Sequence, residues 1–160
     1  MKKLIYTLLI IIALTNNSFS AGDSNTTAKA SDYTKAKNLI NAAKKYEKKG
    51  KIDKAQERYA KAQKLLLKSN EIKPLQADTL NYLGFTTRKL GDYEKGEKFY
   101  LLGLQVEPNH NGINEYLGEL YVATNRMDMA KERLEVLKTC NCEEYDELKK
   151  IIEGTKKSKY

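Results

Sequence analysis

Gly91-Asp92-Tyr93-Glu94-Lys95-Gly96 is the second of three six-residue segments built to one pattern. The others are Gly50-Lys51-Ile52-Asp53-Lys54-Ala55 and Asn125-Arg126-Met127-Asp128-Met129-Ala130. Each opens on Gly or Asn, the residues that close a helix in the left-handed conformation. Each then offers an acidic residue where a new helix would begin, as the helix dipole favours. Each ends on a small residue. Every segment therefore reads as a tight turn between two helices. The second and third openings lie 34 residues apart and the first and second 41, which is the same period with seven residues added.

The flanks repeat in the same register. Upstream stand Ala42-Ala43, Leu83-Gly84 and Leu117-Gly118, with Tyr46, Thr87 and Tyr121 three residues on. Downstream, Tyr59, Tyr100 and Leu134 come four residues after the small residue, then Ala62, Gly103 and Leu137. Small residues let two helix axes approach, and large ones fill the groove beside them. Gly84, Gly96 and Gly103 each cost about 1 kcal/mol relative to Ala inside a helix. Close packing beside Tyr82, Phe99 and Tyr100 is the reading that offsets this.

A helix-turn-helix of this period and pattern resembles the tetratricopeptide repeat family. The resemblance covers about 36–144 and implies an all-α solenoid with repeats at about 36–69, 77–110 and 111–144. Thr87 departs from the family pattern, which prefers a large apolar residue there, as does Leu137, where it prefers a small one. The seven added residues, around Lys68 to Pro74, either lengthen the second helix of the first repeat by two turns or form a longer loop. Glu143 to Glu153 reads as a capping helix, with Tyr145, Leu148, Ile151 and Ile152 on one face.

The ends are different material. Lys2 and Lys3 precede an apolar run from Leu4 to Leu14, and Ser18 and Ser20 precede Ala21. This is the pattern of a signal peptide, 1–20, cleaved before Ala21. The run is too short for a stable membrane span. Residues 21–31 read as a flexible linker and 154–160 as a basic tail with little to bury. The expected location is the periplasm. Asn114 to Tyr121, followed by Cys142-Glu143-Glu144-Tyr145, is similar to small exported repeat proteins of Gram-negative bacteria, especially alphaproteobacteria, which supports that placement.

Composition agrees with a soluble helical protein: 31% charged, 41% hydrophobic, no Trp and two Pro in 160 residues. The formal charge is +8, but the lysines are spread along the chain and not gathered into a stripe with aromatics, so no nucleic-acid partner is expected. No phosphate loop, nucleophile elbow or metalloprotease motif is present. No catalysis, cofactor or small-molecule substrate is expected. His110 is the only histidine and reads as a loop residue, since a metal needs more ligands than one imidazole.

Cys140 and Cys142 are the only cysteines. In an oxidising compartment they would close a small, strained ring that pins the turn before the last helix. Strained rings are labile, so a redox-active or copper-handling module remains the alternative.

The resemblance also places a concave, partner-binding face on the first helix of each pair. In the first repeat it comprises Ile40, Lys44 and Lys48, and in the second Asn81, Phe85, Arg88 and Lys89. In the third it comprises Glu115, Glu119 and Val122. Phe85 would be an apolar anchor ringed by charge. Cations from the first two repeats and carboxylates from the third would orient a bound segment of mixed charge. The mode that holds a C-terminal carboxylate is not supported, because Ile40 and Lys44 stand at two of its positions. The function implied is a non-catalytic scaffold or adaptor for a protein or peptide partner in the cell envelope.

Overall fold

The computed structural model describes residues 24–158, with side chains from Asp32. The expected signal peptide lies outside the described residues, as do the proposed new N-terminus at Ala21 and the last two residues. Seven helices follow one another: α1 Ser24–Lys48, α2 Ile52–Ile72, α3 Ala77–Lys89, α4 Tyr93–Val106, α5 Asn111–Ala123, α6 Met127–Leu137 and α7 Glu143–Ile152. No strand occurs among the described residues. The chain is an all-α helical repeat of three hairpins and a last helix.

The three turns share one geometry. Gly50, Gly91 and Asn125 have φ of +68°, +96° and +58°. In each, the next amide reaches back to the carbonyl of the register residue four positions before the turn opening. Lys51 N donates to Tyr46 O at 2.9 Å, Asp92 N to Thr87 O at 3.2 Å, and Arg126 N to Tyr121 O at 2.8 Å. These bonds satisfy carbonyls that a helix end leaves open. Asp92 also caps α4, accepting from Lys95 N at 3.0 Å. Thr87 sits in its register position because it accepts a 2.7 Å bond from Gln63 of α2.

The seven added residues are mostly helix: α2 has 21 residues, against 14 in α4 and 11 in α6. Two expectations about the ends need correction. Residues 24–31 belong to α1 and are not a linker; Thr26 to Ala30 holds no Gly or Pro, and extending a formed helix is cheap. The tail does not simply trail away. Gly154 adopts φ +69°, and Thr155 N and Lys156 N both donate to Lys150 O, a fourth copy of the closing turn.

The helices form two layers of unequal radius. Among the described residues α1 meets α3, α3 meets α5 and α5 meets α7, whereas α2, α4 and α6 do not touch one another. The odd-numbered helices are thus the inner, shorter side of a curved stack. Small residues set the spacing. A Cβ on Gly84 would fall 2.5 Å from the Tyr100 ring, joining α3 to α4. One on Gly118 would fall 2.5 Å from Leu148, which docks α7 on α5. Leu148 and Ile151 are buried there.

Candidate functional site

The inner face is floored by aromatics. Phe85 is 1% exposed, with Tyr59 5.7 Å and Tyr116 5.1 Å from its ring centroid. The ring is held in place by three helices, α2, α3 and α5, and is not the projecting anchor expected of it. Lys44 Nζ lies 4.6 Å above it and donates to Tyr116 Oη at 3.3 Å. Lys44, Glu47, Lys48, Phe85, Lys89 and Lys156 line a chamber of about 480 Å³ at this place. Glu47 organises its wall, accepting from Tyr59 Oη at 2.8 Å and pairing with Lys89 at 2.6 Å. Lys48 is exposed at the rim. Four lysines against one carboxylate make this end cationic.

The other end is acidic. A cavity of about 360 Å³ lies between the start of α3, the α4–α5 turn, α5 and the start of α7, with Asp78, Glu107, Glu115 and Glu144 on its walls. A second, of about 260 Å³, adjoins it through Glu115, Tyr116 and Glu144 and adds Glu143 and Glu147. Asn81 lines the first; it is 6% exposed, and its Oδ1 is buried with no hydrogen-bond partner. A buried acceptor left unmade costs about 1–3 kcal/mol.

Three of the residues assigned to this face from the sequence do not reach its surface. Ile40 is fully buried, packed with Tyr59 and Leu66 of α2 and Leu83 of α3 in one core, because it falls on the stripe of α1 that meets α2 and α3. Arg88 and Glu119 are 1% and 0% exposed and face each other across the α3–α5 contact, 3.8 Å apart. Arg88 also donates to Tyr116 O at 2.7 Å and lies 5.6 Å from the Tyr100 ring centroid. Burial lowers its pKa, opposed by Tyr100 and Glu119. Their charges are spent on joining repeats. Glu115 is buried but lines both acidic cavities, and Val122 is half-buried against the core that Tyr100, Ile113 and Leu117 form.

Two contributors were invisible to sequence reasoning. His110 caps α5: its Nδ1 accepts from Ile113 N at 3.2 Å, which leaves Nε2 to donate to Asp78 Oδ1 at 3.2 Å. His110 thus lies in the loop before α5, and its cap carries no signal in the sequence, because His is not among the preferred capping residues. Lys156 pairs with Glu147 of α7 while lining the cationic chamber, so the tail crosses from one end of the face to the other.

Cys140 and Cys142 are joined by a disulfide, Cα–Cα 5.2 Å, across Asn141 at φ +48°. The ring fixes the turn from α6 into α7, and Cys142 stands at the N-terminus of α7. With the sulfurs bonded to each other, no thiolate is presented to copper. Among the described residues no group of three His, Cys, Asp or Glu is placed to hold a metal, and no helix is long and apolar enough to cross a membrane.

No family model matches the sequence, and no curated protein matches it. Solved structures do. The first tetratricopeptide domain of Spaghetti (RPAP3), solved with the HSP90 peptide SRMEEVD, is 23% identical with a TM-score of 0.49; the match covers 77% of this chain and 94% of that one. The NMR structure of the first such domain of human RPAP3 is also 23% identical at 0.49, covering 79% and 98%.

Proposed function

We propose that the chain is a non-catalytic interaction module of tetratricopeptide type that seats an extended protein segment along α1, α3, α5 and α7. The observation that carries this is the pairing of two chambers of opposite charge on one aromatic-floored face. A cationic chamber over Phe85 and an acidic one under Asn81 give a segment both a place and a direction. A photo-cross-linking residue at Lys48 should give a discrete protein adduct, and one at Lys131, an exposed position on α6, should not. Equal labelling from both positions would refute the assignment.

The same reading places the protein in the periplasm as a scaffold or adaptor. The basic start, short apolar run and Ser18/Ser20 pair support export, and the bonded Cys140 and Cys142 support an oxidising compartment. N-terminal sequencing of protein released by osmotic shock should read Ala21 first. An intact Met1 in the membrane fraction would overturn the export reading without touching the groove.

A further inference from the structure

We infer that the acidic cavity between α3, the α4–α5 turn, α5 and α7 receives a lysine or arginine side chain of the bound segment. The inference rests on the segment-binding reading above and specifies its ligand chemistry. The charged walls of the cavity are Asp78, Glu107, Glu115 and Glu144, and no lysine or arginine lines it. The second observation is independent of those charges. Asn81 lines the cavity, and its Oδ1, itself out of contact with solvent, has no hydrogen-bond partner, so the wall carries an acceptor that lacks an N–H donor. An ammonium or guanidinium carries several such donors and no acceptor. The carboxylates are too dispersed to gather on a metal ion, but an extended organic cation, with several N–H groups, can address separated acceptors at once.

The adjoining cavity already shows this chemistry within the chain. Its Glu147 holds Lys156, and it shares Glu115, Tyr116 and Glu144 with the first cavity. The acidic strip also stands against the background of the molecule, whose formal charge is +8. A basic segment is repelled by the chain as a whole, so its capture must come from this local surface.

The test is fluorescence anisotropy with end-capped, labelled hexalysine at physiological ionic strength, with hexaglutamate as the counterpart. Hexalysine should bind saturably. Asn81→Leu, close in volume, removes the acceptor; Glu144→Gln removes a charge at a partly exposed position. Each should weaken hexalysine about ten- to a hundredfold, the scale of one lost charged hydrogen bond, and leave hexaglutamate unaffected. A thermal melt accompanies each variant, and Glu144→Gln keeps the test open should Asn81→Leu disturb folding. Hexalysine that fails to bind, or binds both variants as tightly as the parent, overturns the inference. Hexaglutamate binding alone would overturn it while leaving the segment-binding reading in place. If neither peptide binds, this inference falls, and the cross-link at Lys48 decides the broader reading separately.

Discussion

Gly84→Ala tests the closest approach in the fold. The added Cβ would lie 2.5, 2.6 and 2.8 Å from Cε1, Cδ1 and Cζ of Tyr100. Carbon atoms rest at about 3.5–4.0 Å, so the ring or a helix must retreat by about 1 Å. The ring has nowhere to go: Tyr100 is 0% exposed, and the Arg88 guanidinium stands by its ring. Overpacking of this kind costs about 1–3 kcal/mol, and a rigid ring belongs at the upper end. Alanine returns about 1 kcal/mol of helix propensity. The net expectation is a loss of about 2 kcal/mol, or a fall in Tm of about 4–8 °C for a chain of this size. Urea and thermal unfolding followed by circular dichroism at 222 nm measure it. Tyr100→Leu in the same chain should recover part of the loss, making the pair non-additive. A Gly84→Ala protein more stable than the parent by about 1 kcal/mol would refute the α3–α4 packing, because propensity would then be the only effect present.

Arg88→Met and Glu119→Leu should each destabilise by about 3–5 kcal/mol, and the double variant by clearly less, since a single loss strands a buried charge; equal, additive losses in denaturation would contradict the pairing. Replacing Cys140 and Cys142 with Ser should move Tm by less than about 2 °C, because so small a ring removes little entropy from the unfolded chain. Intact mass after alkylation without reductant should show no modified thiol. Burial holds Tyr33, Tyr59, Tyr100 and Tyr116 above the ordinary tyrosine pKa. The unfolded chain therefore releases these protons first as pH rises past about 10, so stability is full below that pH and falls above it. Melts from pH 8 to 11.5 should show Tm flat and then dropping, and a Tm that holds at pH 11 would count against the buried aromatic floor.

The turns were legible because their demand is local. Gly50, Gly91 and Asn125 stand where only a residue tolerant of positive φ fits, and the bonds back to Tyr46, Thr87 and Tyr121 follow from that one conformation. The fate of the seven added residues was not legible. Lys68 to Ile72 suits helix or loop, and tertiary contact decides. The ends of the inner face were readable as charge, but not the depth of each residue. Ile40, Arg88 and Glu119 share the helical spacing of true surface positions, and only the neighbouring helix, packed beside them, removes them from solvent. The Gly154 turn escaped notice because its basic surroundings resemble a disordered tail, while its carbonyl partner lies back in α7.

The lengthened first hairpin has a kinetic consequence. Seven residues beyond the length of α4 make α2 about 10 Å taller. Beside it α1 runs on past Tyr33, whose ring meets Tyr82 of α3, 6.0 Å between centroids. The acidic cavity, which Tyr82 also lines, therefore has a wall of protein on one side. Such a wall has a low dielectric constant and turns field lines outward through the remaining opening. An approaching cation is drawn along that channel before it touches anything. Encounter, more than residence, is then the step that ionic strength governs: adding salt should slow association, the screened net positive charge of the chain offsetting part of the loss, while dissociation hardly changes.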